Sequence, residues 1–474
     1  MPIILQYLAY KNGFNPLTPE VKGCNMVDTS QPCHIPWGSG TKPVQSMLLY
    51  VQAIAFSIQF LLFTTFSSLA DYEQWNKYIL LGSTLIGCLT QALPILLWIN
   101  PDNENNWRTM MGIMILALIS YGSSLVFYAA AFPNLSDNLP IVRRARVDPN
   151  ITEEKRQEFI ERWRNHVSAI STTFSNIGFL LMSGILSCVA FAPYGNNDTI
   201  GNQPIYNVIA TVACAAYWAV NAIPYFVLTP RGRKGPPLPP KANYLTFGWK
   251  SIVVALREIR KLRYLFIYLV AYFMFSDAVS TIGQMLTIIQ GELTQFSAQQ
   301  NALFGFVQSV TSILGCLIFL WVSKIFKIRT KTSLLIIIGT TALIPLWGCF
   351  GIYFPTFGIH SLAELWLLSV WQGLFTAPIW AWQQTMLAEL IPKGKENLFF
   401  GLFGIVNKAS SWIGPVVIGA ITDATSNIWK GWPFVFMLFL IAIILIVSID
   451  VDKAKVELMN YAKAETDVAD EKEQ

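Results

Sequence analysis

Two charged residues stand inside long apolar stretches of this chain. Asp277 lies in YLVAYFMFSDAVSTIGQMLTII, where Ser280, Thr281 and Gln284 follow it at i+3, i+4 and i+7. That spacing draws one polar stripe along an otherwise apolar helix. Lys408 lies in IPKGKENLFFGLFGIVNKASSWIGPVVIGA, with Gly401, Gly404, Ser411 and Pro415 on its helical face and Asn407 beside it. A charge at mid-membrane costs roughly 2.5–3.5 kcal/mol on insertion scales, so both residues are expected to face a common interior. Both sit at similar depth, and contact or a water bridge between them would offset part of that cost. Three uses of the pair stand side by side. It could stitch two helices together. It could hold a zwitterion, with the ligand carboxylate on Lys408 and its amine on Asp277. Asp277 could instead take up a proton, so proton coupling stays open.

The chemistry-bearing motifs of other classes are missing from the sequence. It has no Walker loop, HExxH, GxSxG or grouped Ser/His/Asp, which argues against an enzyme and against ATP-driven transport. The 7 cysteines show no metal spacing and no CxxC, so neither metal nor cofactor is expected. A net charge of +5 is topological here and does not point to nucleic acid.

The elements that must position Asp277 and Lys408 are membrane helices. Of the 474 residues, 53% are hydrophobic and only 13% charged, with mean hydropathy +0.46. Soluble domains carry about 25% charge. Met1–Tyr10 is too short to span and reads as the stub of a first helix. A polar loop, Lys11–Pro43, follows. Eleven apolar spans come next, near Val44–Ala70, Lys77–Ile99, Trp107–Pro133, Val167–Phe191, Ile205–Leu228, Tyr264–Ile289, Ala302–Val322, Thr332–Tyr353, Leu362–Leu390, Leu398–Ile421 and Phe434–Ile449.

The widest break, 229–263, opens with TPRGRKGPPLPPK and continues as an amphipathic helix bearing Trp249, Ile252, Val253, Leu256 and Ile259. It reads as a basic linker lying on the membrane interface, against lipid. The chain thus divides into a half-bundle at 1–228 (stub and helices 2–6), the linker at 229–263, a half-bundle at 264–451 (helices 7–12) and a tail at 452–474. The predicted fold is an all-α polytopic membrane protein, a 6+6 bundle with its first helix truncated.

Lysine and arginine crowd alternate loops, as at Arg143, Arg144, Arg231, Arg233, Lys324 and Lys453. That bias places those loops and the C-terminus in the cytosol. Cys24 and Cys33 then share a loop in the opposite, oxidising compartment, where a disulfide is plausible beside two unpaired thiols. The sequon at Asn197 falls on the same side and is open to glycosylation.

Two resemblances add to this reading. Asp71 and Lys77, between the second and third helices, resemble the loop signature of the major facilitator superfamily. Asp277 with Thr281 after YLVAYFMF, followed by PKGKENLFFGLFGIVNKASSWIGP, looks like the autophagy-related protein 22 family of fungal vacuolar effluxers. The likeness runs along nearly the whole chain. It implies a multi-pass vacuole-membrane transporter that exports neutral amino acids such as leucine, isoleucine and tyrosine to the cytosol during autophagic recycling, by alternating access. A non-transporting membrane scaffold, or a facilitator for another small solute, is the alternative.

Overall fold

The structure is a computed structural model that describes residues 1–25, 32–66, 75–97, 103–129, 135–136, 138–148, 152–191, 203–228, 246–259, 262–295, 297–326, 328–354, 356–392 and 396–461. Asp71 and Asn197 lie outside these residues. Among the described residues ten helices are long and apolar enough to cross a membrane. The first helix, α1 (Pro2–Asn12), is buried from Ile4 to Tyr10.

The stretch after α1 departs from expectation. Its residues were expected to form a loop, but they build an antiparallel sheet of order β2-β1-β3-β4. The strands are β1 (Phe14–Asn15), β2 (Thr18–Lys22), β3 (His34–Trp37) and β4 (Gly40–Pro43). β3 and β4 form a hairpin in which Trp37 faces Gly40. Gly38 sits there at φ +58°, which glycine adopts at little cost. Cys24 and Cys33 are disulfide-bonded, with Cα atoms 5.8 Å apart. Backbone pairing along with a covalent tie orders a segment whose Gly/Pro content suggested irregular chain.

The sheet hands the chain directly to α2 (Val44–Phe66). α3 (Trp75–Ala92), α4 (Pro94–Leu97), α5 (Asn106–Ala129) and α6 (Pro140–Val147) follow. Lys77 opens α3, half-buried. α7 (Glu153–Ala190) is 38 residues long and begins well before the expected Val167. No glycine or proline interrupts it before Gly178, so nothing stops the helix at the polar-to-apolar change. Its apolar part is correspondingly short, Ile177–Ala190. α8 (Gln203–Leu228) ends the first set of helices.

α9 (Phe247–Ile259) is the amphipathic helix of the linker. A Cβ on its Gly248 would fall 2.1 Å from the Thr64 carbonyl oxygen, so the helix lies directly on the end of α2. Trp249 meets Phe60 edge-on at 6.4 Å. Trp249, Val253 and Leu256 also leave an exposed apolar row, the face a membrane surface would cover.

The second set comprises α10 (Arg263–Leu293), α11 (Ala298–Ile325), α12 (Thr330–Phe350), α13 (Leu362–Trp371), α14 (Ile379–Leu390), α15 (Glu396–Ser410), α16 (Ile413–Thr425) and α17 (Trp432–Ser448). Glu457 of the tail accepts from the Arg263 amide at 2.7 Å, capping α10. A π-helical turn, Gln372–Thr376, joins α13 to α14. The span expected to run unbroken from Leu398 to Ile421 is two half-helices, α15 and α16. Across the seam between the two sets, α2 packs on α16, α7 on α11, and α1 on α10.

Candidate functional site

The candidate site lies at the break between α15 and α16, and the sequence dictates that break. Pro415 has no N–H, and its ring crowds the carbonyl of Ser411 one turn earlier. Just upstream, Ser410 Oγ and Ser411 Oγ both donate to the Asn407 carbonyl, at 2.9 and 2.7 Å. Hydroxyls that bond back to the preceding turn bend helices. α16 therefore begins afresh, with unspent backbone N–H groups and the positive end of its dipole inside the bundle.

Asp277 meets that helix start. Only 2% exposed, its Oδ1 accepts from the Gly414 N–H at 3.1 Å. Gly414 is bare for a reason: a Cβ there would fall 1.8 Å from Thr281 Oγ1 and 3.0 Å from Asp277 Oδ1. Asp277 and Thr281 thus share one face of α10 and close on the start of α16. Ser280 and Gln284, on the same predicted stripe, are only half-buried.

The expected contact between Asp277 and Lys408 is not made in this structure. No ion pair joins them. Asp277 reaches the second half-helix, whereas Lys408 belongs to the first. The Lys408 ammonium instead lies 5.9 Å from the Phe63 ring centroid on α2, across the seam. Its half-buried position matches an interior orientation.

Asn407, one residue earlier, anchors α15 to α10. Its Nδ2 donates to Tyr272 OH at 2.8 Å and to Ser276 Oγ at 2.7 Å. Tyr272 stacks on Phe403 with ring centroids 3.7 Å apart. The structure therefore brings Asp277, Thr281, Asn407 and Ser411 to one junction of α10 with the broken helix. Lys408 projects from that junction toward α2.

Four features escaped the sequence reading. Glu292, at the far end of α10, is buried and hydrogen-bonded to Gln6, Tyr10 and Gln45. Lys42 of β4 pairs with Asp423 of α16, and that hydrogen bond raises the lysine pKa above its ordinary value. Beside this pair a crevice of about 560 Å³, lined by Trp37, Tyr50, Ser57, Trp412 and Val416, opens between α2 and α16. Gln308 of α11 donates to Gln372 Oε1 at the π turn, at 3.3 Å. No local signal marks these features, because each joins residues far apart in sequence.

Two solved structures give the class. A D-xylose-proton symporter superposes with a TM-score of 0.53, covering 94% of this chain and 95% of that one at 12% identity. The nucleoside transporter NupG superposes with a TM-score of 0.51, covering 94% of this chain and 98% of that one, also at 12% identity. The fold is that of major facilitator transporters.

The family follows from sequence. A family profile described as "Vacuole effluxer Atg22 like" matches residues 1–459, and the chain belongs to that family. The protein named autophagy-related protein 22 of Pichia angusta is 27% identical over 435 residues, 86% of this chain and 76% of that one. Autophagy-related protein 22-2 of Emericella nidulans is 24% identical over a gapped alignment 533 positions long that covers 98% of this chain and 88% of that one. The family is vacuolar and its members are membrane-embedded.

Proposed function

We propose that the protein exports neutral amino acids from the vacuole lumen to the cytosol by alternating access, with the α10–α15–α16 junction as the substrate site. The observation that carries this reading is Lys408. It is a half-buried cation on a broken helix at the seam, with no acid partner among the described residues. A broken helix supplies ligand-facing polar groups at mid-membrane without exposing them to lipid. The substrate carboxylate is assigned to Lys408. Its amine is assigned to Asp277, whose carboxylate also holds α16 in place. The substrate's apolar side chain would lie toward Phe63.

The linker end and the tail are assigned to the cytosol, and the sheet end to the lumen. The lysine and arginine distribution supports this, as does a disulfide in the sheet. The half-bundles at 1–228 and 264–451 are the two moving bodies.

Vacuolar vesicles loaded with labelled leucine test the function. Release should depend on the protein and should fall in Lys408→Ala while protein level is kept. Equal release with and without the protein would end the proposal. Competition by unlabelled sugars or polyamines, rather than by isoleucine and tyrosine, would move the substrate to another class of small solute.

A further inference from the structure

At the sheet end, the last turn of α10 carries Gly291 and Glu292. Glu292 is 3% exposed. Among the described residues, its side-chain hydrogen bonds come from helices that precede the linker. From α1, Gln6 Nε2 donates to Oε1 at 3.2 Å and Tyr10 OH donates at 3.0 Å. From α2, Gln45 Nε2 reaches both carboxylate oxygens at 2.9 Å. Gln6 also donates to the Ile288 carbonyl at 3.3 Å. A Cβ on Gly291 would fall 2.5 Å from Gln6 Oε1, so bare backbone is what lets α1 come this close.

Among the described residues, no neutralising charge bonds to Glu292. No cationic side chain pairs with it among the described residues. Among the described residues the titratable group bonded to it is Tyr10, while Tyr7 and Lys11 of α1 and Tyr50 of α2 are not among its hydrogen-bond partners. α17, packed along α10, carries no titratable side chain. The single carboxylate of α16, Asp423, is taken by Lys42. In α13, Glu364 is held by the amides of Gly358, His360 and Ser361 and by Trp347. In α12, Cys349 is a free thiol and Lys331 is bound at the opposite end, to the Val447 and Ile449 carbonyls. In α14, Glu389 takes the Thr330 hydroxyl. Lys408 of α15 and Asp277 of α10 itself have the partners already given, and Lys250 and Arg257 of α9 stand at the linker end.

A buried carboxylate served only by neutral donors is held by charge-assisted hydrogen bonds. Protonation turns one oxygen into a donor and removes the charge that strengthened every bond to it. We propose that Glu292 is a proton-responsive latch. Ionised, it ties α10 to α1 and α2 and keeps the sheet end closed. Protonated, it releases both helices at once, and that end can open to the compartment it faces. Nothing in Asp277 or Lys408 is needed for this step. It rests on the transport reading only in taking the two helix sets to part at this end; the substrate plays no role.

The test uses the full chain in lipid vesicles, with the five free cysteines replaced. Spin labels go on Leu17→Cys and Tyr353→Cys, both exposed at the sheet end, with Val147→Cys and Phe326→Cys as the linker-end reference. Pulsed dipolar spectroscopy then reads the distances in neutral and acidic buffer, without substrate. Acid should lengthen the sheet-end distance, and the open-to-closed ratio should rise by at most ~10-fold per pH unit, the limit for one proton. Glu292→Gln should be largely open and insensitive to pH. Asp423→Asn should keep the pH response. A wild-type distance unchanged by acid overturns the proposal without any substitution at Glu292. So does a pH response that survives in Glu292→Gln, or one lost in Asp423→Asn. Leucine efflux can fail while the latch stands, and the latch can fail while efflux stands.

Discussion

Replacing Gly414 with alanine separates local propensity from the packing of the site. On propensity alone, glycine to alanine inside a helix stabilises by about 1 kcal/mol. Here the added methyl would arrive 1.8 Å from Thr281 Oγ1, 3.0 Å from Thr281 Cβ and 3.0 Å from Asp277 Oδ1. Thr281 and Asp277 are both buried on α10 and have little room to retreat. Overpacking of this kind typically costs 1–3 kcal/mol. Driving α16 away also stretches the Asp277 bond to the Gly414 amide, and bonds to charged groups carry roughly 1.5–3 kcal/mol. The two losses share one displacement and do not simply add. The expected net destabilisation is about 2–4 kcal/mol, or roughly 30- to 1,000-fold in the folded-to-unfolded ratio. Survival of monodisperse protein after heating in detergent gives the ranking. Thr281→Ala removes the atom at 1.8 Å, so the double variant should recover at least ~1 kcal/mol of coupling. Gly401→Ala is the control: nothing lies within 4 Å of its new methyl, and it should be neutral or stabilising. A Gly414→Ala protein as stable as the parent, or one indifferent to Thr281, refutes the account of the break.

Further outcomes follow from the same geometry. Asp277→Asn keeps an acceptor for the Gly414 amide and should fold, whereas Asp277→Ala leaves that buried donor unpaired at ~1–3 kcal/mol, read as lower protein level. Among the described residues Lys408 has no acid partner for Lys408→Ala to orphan, so leucine efflux should drop at unchanged protein level; a collapse in level would restore a structural ion pair. Asn407→Ala removes the donors to Tyr272 and Ser276 and should cost ~1–3 kcal/mol, with Asn407→Asp retaining less than half of the thermal survival of the parent if the donor matters. Cys24→Ser with Cys33→Ser opens a loop of sequence separation 9, for which chain entropy gives about 2.5 kcal/mol; limited proteolysis of the sheet should accelerate.

Much of the architecture was legible because membrane helices announce themselves through apolar runs. The amphipathic α9 was legible too, from Trp249, Val253 and Leu256 at helical spacing. The extension of α7 to Glu153 was hidden, since a helix leaving the membrane changes polarity without changing backbone. The sheet was hidden because glycine and proline in its turns mask short pairings such as His34 with Pro43. At the site, composition alone marked Asp277, Thr281, Asn407 and Ser411 as polar residues needing partners. It could not say which partners. Equal depth suggested Lys408 for Asp277, but a proline four residues past Ser411 rotated the second half-helix into that place. Glu292 was the hardest case. It lies 247 residues or more from each donor, so no local spacing links them.

The disulfide-bearing sheet changes what the connection between α1 and α2 can do mechanically. A slack connection of that length would let each helix settle independently, because lengthening a flexible loop adds only slowly to its closure entropy. Paired strands, locked by Cys24 and Cys33 and feeding straight from Pro43 into Val44, behave as a strut instead. Displacement of α2 at its Gln45 end is carried through the strut to Gly13 and so to α1. The two helices that grip Glu292 are thereby geared together: neither can slip while the other holds. Reducing the disulfide should therefore loosen the gearing before it unfolds anything, and make motion at that end less cooperative while leaving the helices intact.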